Sequence, residues 1–127
     1  MNKKHVIIVE DQALVALDLS EILDVEGYIV DYVCSNAQEA MQMIPHFMPD
    51  IVLLDIVLHG EMDGTQIAPI IQNEYGIPVI YISAHSNDEM FNRAKITCPY
   101  GFVAKPIIKN SAQRQVFRCF NINKGFS

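Results

Sequence analysis

Five short apolar runs recur along the chain at nearly even spacing: HVIIV, YIVDYV, DIVLL, PVIYI and GFVA. They begin at residues 5, 28, 50, 78 and 101, so consecutive starts lie 22 to 28 residues apart. All but the last are rich in Val, Ile or Tyr, as β-strands are. The gaps are too long for hairpins and fit strand–helix–strand crossovers. The spacing therefore predicts a doubly wound α/β sandwich built on a parallel sheet.

The pattern within each run predicts where that strand lies in the sheet. The first, third and fourth runs are continuously apolar, as central strands covered on both faces are. Asp31 interrupts the second run, which favours an edge strand. The length of 127 residues is enough for one domain with its own core, and no linker is visible. We therefore predict a single domain over residues 1–127, with a frayed tail at 121–127.

The segments between the runs carry helix signals, namely apolar residues at helical spacing, N-cap residues and helix-ending residues. Pro45 is expected to end the second helix, and Pro69 is expected to kink the third helix or to remove one of its backbone hydrogen bonds. Val116, Phe117 and Phe120 are expected to face inward from the last helix. The predicted helices cover residues 12–25, 36–44, 64–75, 86–95 and 111–120.

Charge and composition exclude several classes of protein. The chain has 9 Lys and Arg against 15 Asp and Glu, a net charge of −6, which argues against a nucleic-acid surface. The apolar runs are far shorter than the roughly 18 residues of a membrane span, and Glu10 interrupts any signal-peptide core. The 3 cysteines are scattered without zinc-ligand spacing, which favours reduced thiols in or near the core. We expect a soluble, cytoplasmic protein.

Polar residues follow four of the runs, at the strand ends where ligands bind in sheets of this kind. Three carboxylates brought together repel one another unless a cation joins them, and Mg²⁺ is the hard ion that oxygen ligands favour. A hydroxyl and an ammonium beside the ion would complete a phosphoryl-binding site. A central carboxylate would then attack phosphorus and form an aspartyl phosphate. The polar residues that follow the runs are Glu10, Asp11, Asp55, Ser83 and Lys105, and Ala84 follows Ser83 directly.

Five segments, taken in chain order, resemble the receiver domain of two-component response regulators. They are VIIVEDQ with its acidic pair, DIVLLDIVL with the phosphoacceptor aspartate, MDG before the third helix, PVIYISA with its hydroxyl residue, and GFVAKP with its lysine. The resemblance extends from about residue 4 to residue 120. It implies the flavodoxin-like receiver fold, with a five-stranded parallel sheet of order 2-1-3-4-5 and five helices.

The resemblance also implies a role for each acidic residue. Asp55 would accept a phosphoryl group from a phosphohistidine on a histidine kinase or phosphotransfer protein. Asp11 and Asp55 would bind Mg²⁺ directly, together with the backbone carbonyl of Val57. Glu10 would bind the ion through water. The chain would be a signalling switch and not an enzyme, apart from its own phosphorylation at Asp55 and the hydrolysis of that group.

The remaining site residues would respond to phosphorylation of Asp55 and transmit a conformational change to the surface. Lys105 would pair with Asp55 at rest and with the phosphoryl group afterwards, and the Lys105–Pro106 bond is expected to be cis. Ser83 would hydrogen-bond a phosphoryl oxygen, with help from the backbone N–H of Ala84. Phe102 matches the aromatic switch position, although a plain core role fits it equally well. The surface of the fourth helix, fifth strand and fifth helix would then bind an effector or a second copy.

The chain departs from the family pattern mainly in the loop after Asp55. This loop is one residue longer than usual, and His59 stands where proline is common. Because Mg²⁺ prefers oxygen, we predict that His59 and His85 are exposed loop histidines and not metal ligands. The apolar Val57 cannot orient an attacking water, which predicts a long-lived phosphoryl state.

Three readings compete with the phosphorylation switch. A degenerate receiver would bind partners constitutively, and the lengthened loop and Phe102 keep that alternative open. A Mg²⁺-dependent phosphohydrolase would need a second acid where Val57 stands. A flavodoxin-like electron carrier would need a phosphate cradle that EDQALVA does not offer. The cognate kinase and effector stay open, as does whether the chain is stand-alone, excised or part of a hybrid protein.

Overall fold

The structure is a computed structural model that describes residues 3–60, 62–84 and 88–125. Within these residues, one parallel sheet has the strand order β2-β1-β3-β4-β5. The predicted fold class and strand order are therefore confirmed, with β2 at an edge and β1, β3 and β4 in the centre. The strands are β1 (His5–Val9), β2 (Ile29–Cys34), β3 (Ile51–Asp55), β4 (Val79–Ser83) and β5 (Gly101–Ala104).

Helices alternate with the strands along the chain. Two of them begin at side-chain caps: Asn36 accepts from the backbone N–H of Glu39, and Asp63 forms a capping box with Gln66. The part of the chain that the structure describes has no helix with the length and hydropathy needed to cross a bilayer. The helices are α1 (Ala13–Val25), α2 (Ala37–Phe47), α3 (Gly64–Glu74), α4 (Asp88–Ile96) and α5 (Lys109–Gly125).

The predicted end of α2 was wrong, because the helix continues past Pro45 to Phe47. The Phe47 ring packs on Tyr32 of β2 at a centroid distance of 6.0 Å, which holds the last turn in place. Met48 then takes a left-handed conformation and donates its N–H to the carbonyl of Ile44. Proline lacks the backbone N–H of one helical hydrogen bond, but its fixed φ is compatible with a helix, so α2 continues through Pro45.

The last two helices also differ from their predicted bounds. α5 begins before residue 111 and extends to Gly125, so it includes most of the segment expected to fray. Phe117 is 66% exposed, which contradicts its predicted inward orientation. The buried stripe of α5 instead runs through Ala112, Val116 and Cys119, and Phe117 lies about 100° around the helix from Val116. Residues 85–87, which include His85 and the predicted start of the fourth helix, lie outside the described part.

Apolar side chains fill both faces of the sheet. Successive residues of β1 alternate, so Ile7 packs with α2 and α3 while Ile8 packs with α1 and α5. Cys34 and Cys119 are buried in these two layers, and burial raises the pKa of each thiol to about 12. These thiols are therefore core side chains, as predicted, whereas Cys98 is exposed.

Candidate functional site

Three carboxylates meet at the carboxyl edge of the sheet. Glu10 and Asp11 follow β1, and Asp55 is the last residue of β3, the strand paired with β1. One oxygen from each carboxylate lies within 4.8 Å of the others. Glu10 and Asp55 are only 2% and 4% exposed. We call Glu10, Asp11 and Asp55 the acid cluster.

Lys105 is the cation that faces the acid cluster. Its backbone N–H donates to the carbonyl of Ser83 at 2.8 Å, which fixes the start of the loop after β5. Its ammonium lies 2.9 Å from Asp55 Oδ2, 2.8 Å from Glu10 Oε1 and 2.8 Å from the side-chain oxygen of Gln12. The Lys105–Pro106 peptide is cis, as predicted.

Glu10 bears the largest electrostatic cost in the acid cluster. Burial raises the pKa of its carboxyl from 4.5 to about 7, and the neighbouring Asp55 adds to the rise. Lys105 and the backbone N–H of Gln12 oppose the rise without cancelling it. A cation added to the cluster would favour the ionised form of Glu10, because an opposite charge nearby lowers the pKa of a carboxyl.

The loop between β3 and α3 lies close against Asp55. The backbone N–H of Val57 donates to Asp55 Oδ1 at 2.9 Å, and the N–H of Gly64 donates to the carbonyl of Ile56 at 3.0 Å. A Cβ on Gly64 would lie 2.1 Å from the backbone oxygen of Asp55, so only glycine fits there. The Asp63 cap fixes α3 directly after this close approach.

His59 contacts the acid cluster from the same loop, which the sequence interpretation of an exposed histidine missed. Its Nδ1 is hydrogen-bonded to Asp11 Oδ2, although the ring is 89% exposed. Burial raises the pKa of Asp11, but the His59 hydrogen bond and charge outweigh burial, so the pKa lies below its ordinary value. The available signals were the extra loop residue and the histidine in place of proline.

The acid cluster fits a hard divalent cation. Its donors are carboxylate oxygens, the ligands that Mg²⁺ favours. Glu10 Oε1 is buried and forms an ion pair with the Lys105 ammonium. It accepts no hydrogen bond of good geometry from the described residues. Asp11 and Asp55 could hold such an ion directly. The Val57 carbonyl and a water on Glu10 stay predictions as further ligands.

The predicted switch residues lie on β4 and β5, beside the acid cluster. Ser83 ends β4 opposite Ala104, and Ala84 is exposed directly after it. Phe102 is half-buried, with its ring centroid 5.8 Å from that of Tyr81 and 4.8 Å from that of Phe91. Phe102 therefore joins the sheet to α4 in this structure.

A parallel α/β sandwich with three carboxylates and a lysine at the carboxyl edge has the groups needed to hold a divalent cation and to neutralise a phosphoryl group. A profile of the family "Response regulator receiver domain" matches residues 6–116. The chain belongs to this family, and its role is in two-component signalling.

Relatives and solved structures agree with this assignment. The Transcriptional regulatory protein PdtaR of Mycobacterium tuberculosis is 30% identical over 103 residues, covering 81% of this chain and 50% of that protein. The Positive alginate biosynthesis regulatory protein of Pseudomonas aeruginosa is 35% identical over 106 residues, covering 81% of this chain and 42% of that protein. The chain thus spans half or less of the length of these curated relatives.

Among solved structures, the signal receiver domain of a modulated diguanylate cyclase from Desulfovibrio desulfuricans G20 is similar along nearly its whole length. It has 34% identity and a TM-score of 0.92, covering 99% of this chain and 100% of that one. The N-terminal domain of a response regulator/sensory box/GGDEF protein from Carboxydothermus hydrogenoformans has 28% identity and a TM-score of 0.86, covering 96% and 98%.

Proposed function

We propose that the chain is a Mg²⁺-dependent phosphorylation switch in which Asp55 accepts a phosphoryl group. The observation that carries this proposal is the acid cluster beside Lys105, whose ammonium lies 2.9 Å from Asp55 Oδ2. The donor is a phosphohistidine on a histidine kinase or phosphotransfer protein. The reaction takes place in the cytoplasm, in a single domain over residues 1–127.

The proposed transfer is a displacement at phosphorus. A carboxylate oxygen of Asp55 forms the new O–P bond, the N–P bond of the donor breaks, and the imidazole leaves with the bonding pair and takes up a proton. Lys105 neutralises charge on the transferred group. A bound Mg²⁺ supplies the further positive charge that the carboxylates and phosphoryl oxygens require. Asp11 and Asp55 hold it directly, with the Val57 carbonyl, and Glu10 through water.

Phosphorylation then shifts a two-state element at β4 and β5. The Ser83 hydroxyl and the Ala84 N–H donate hydrogen bonds to the phosphoryl oxygens, and Phe102 changes its packing against Tyr81 and Phe91. Because Phe91 lies on α4, this movement alters the surface of α4, β5 and α5. That surface binds an effector or a second copy of the chain. Nucleic acid and membrane are not direct partners.

The phosphoryl group is expected to be long-lived. Val57 follows Asp55 by two residues, and its side chain is 54% exposed but offers no group that could orient a water. Val57→Asn supplies such a group, so hydrolysis should be faster than in the native chain, measured as loss of the phosphoryl mass over time. Equal or slower hydrolysis in the variant would contradict this proposal.

The phosphorylation test uses a small-molecule phosphoryl donor, with and without Mg²⁺, and intact-mass spectrometry. We expect one added phosphoryl group that requires Mg²⁺ and is absent from Asp55→Asn. Asp50→Asn is a matched control, because Asp50 is an exposed aspartate at the opposite edge of the sheet. It should be phosphorylated like the native chain.

Absence of an adduct leads to a second measurement, titration of the native chain with Mg²⁺. Binding of Mg²⁺ without an adduct would indicate fast hydrolysis or rejection of the small donor. Absence of both would contradict the switch and favour a constitutive interaction module. If each protein chain hydrolysed many donor molecules, the result would favour the phosphohydrolase.

A further inference from the structure

Groups of the chain itself contact five of the six oxygens of the acid cluster. The backbone N–H of Gln12 contacts Glu10 Oε2, and that of Val57 contacts Asp55 Oδ1. Lys105 contacts Glu10 Oε1 and Asp55 Oδ2. The His59 ring is hydrogen-bonded to Asp11 Oδ2. These contacts of the chain itself thus surround the acid cluster.

His59 differs from the other donors in how it is held. Lys105 is 11% exposed, and the two backbone donors lie within three residues of the ends of β1 and β3, whereas the His59 ring is 89% exposed. Its neighbour Gly60 has a φ of 118°, a conformation that favours glycine. The ring can therefore leave Asp11 without disturbing the core.

We propose that His59 is a positioning residue that contacts Asp11 and competes with a divalent cation for it. This inference rests on the proposed function, because Asp11 is there a direct Mg²⁺ ligand. A ring nitrogen hydrogen-bonded to Asp11 Oδ2 occupies one of the two oxygens with which Asp11 could bind the ion. Mg²⁺ demands a near-octahedral shell of oxygen ligands, in which this ring has no place. Mg²⁺ therefore binds only after the ring moves away.

The competition predicts a change of affinity with a definite sign. Removal of the ring leaves Asp11 free to bind the ion, so His59→Ala should bind Mg²⁺ more tightly than the native chain. Exposed contacts between charged groups are weak, so the gain should be about two- to fivefold in Kd. If His59 were a metal ligand, its removal would weaken binding, and more for Ni²⁺ than for Mg²⁺.

The test is calorimetric titration of Mg²⁺ into the native chain, His59→Ala and His46→Ala. His46 is an exposed histidine on α2, in ring contact with Phe47, and serves as the matched control. Nitrogen NMR of the imidazole rings gives a second readout: saturating Mg²⁺ should shift the His59 ring signals toward those of a free ring and leave His46 unchanged. Urea unfolding shows whether the variants keep native stability.

Each outcome decides the inference. Tighter Mg²⁺ binding in His59→Ala alone, together with the shifted His59 signals, supports it. Equal affinity in all three chains overturns it and leaves the proposed switch intact. Weaker binding in His59→Ala overturns it in favour of a metal-ligating histidine. Absence of Mg²⁺ binding in every chain overturns the metal site and this inference with it.

Discussion

Each end of β1 has a contact between a histidine and an aspartate, but the two contacts join different parts of the molecule. At the amino end, His5 Nδ1 lies 2.7 Å from Asp31 Oδ1, which joins β1 to the paired strand β2. At the carboxyl end, His59 joins the β3–α3 loop to Asp11. The first contact ties two strands of the sheet, whereas the second closes a loop over the acid cluster.

This difference shows that the structural role of a charged pair depends on which end of the parallel strands the pair occupies. Loops that follow the strands converge at the carboxyl edge, so Glu10 and Asp55 are buried together there and share one lysine. At the amino edge, Asp50 is exposed and accepts a hydrogen bond from the backbone N–H of His5. We therefore expect substitutions at the carboxyl edge to alter stability more than those at the amino edge.

The largest effect is expected for Lys105→Met. This change leaves Glu10 and Asp55 buried without their shared cation, which should lower the free energy of unfolding by about 3 to 5 kcal/mol. The measurement is urea unfolding in the absence of divalent ions. Lys109→Met, at the exposed start of α5, should change stability by less than about 0.5 kcal/mol. Equal losses in the two variants would contradict the buried ion pair.

Gly64→Ala should have the next largest effect. The new Cβ would lie 2.1 Å from the backbone oxygen of Asp55, so backbone must move and stability should fall by about 2 to 3 kcal/mol. Gly76→Ala is the control, because Gly76 has a φ of 67° but open space around it. Its cost should be about 1 to 2 kcal/mol, from conformation alone. Thermal unfolding of both variants distinguishes crowding from backbone strain.

Glu10→Gln should stabilise the chain at high pH. The pKa of Glu10 is 4.5 when unfolded and about 7 when folded, since burial raises it. Between these values the folded state keeps a proton that the unfolded state has lost, so native stability falls as the pH rises from about 4.5 to 7. At pH 8 without divalent ions, the variant should be more stable by about 2 kcal/mol.

The measurement for Glu10→Gln is urea unfolding at pH 4, 6 and 8. The variant and the native chain should have nearly equal stability at pH 4 and diverge as the pH rises. Glu21→Gln, an exposed position on α1, should follow the native curve. A native curve that rises between pH 4.5 and 7, together with no gain in Glu10→Gln, would show that Glu10 is ionised at little cost.

The smallest of these effects is expected at the amino edge. His5→Ala removes the partner of Asp31, whose side chain is 11% exposed, and should cost about 1 kcal/mol of stability. Mg²⁺ affinity should not change, in contrast to His59→Ala. Urea unfolding and Mg²⁺ calorimetry on the same variant check both statements. A shift in Mg²⁺ affinity would mean that the two ends of β1 are coupled.

Some local patterns predicted the structure and others failed, for identifiable reasons. Asp31 correctly indicated an edge strand, because a strand that is covered on both faces of the sheet rarely contains a charged side chain. Pro45 did not end α2, because proline removes one backbone hydrogen bond but its fixed φ is compatible with a helix. Phe117 is exposed, because the orientation of α5 against the sheet selected a stripe through Val116.

The sequence by itself determined the parallel sheet and the edge at which the acid cluster and Lys105 gather. Strand periodicity and crossover length are local properties, and parallel strands carry their following residues to one edge. Only the tertiary structure decided that Lys105 also contacts Glu10, and that His59 contacts Asp11. These contacts join residues 48 or more positions apart, and atomic distances over such separations follow from packing and not from local pattern.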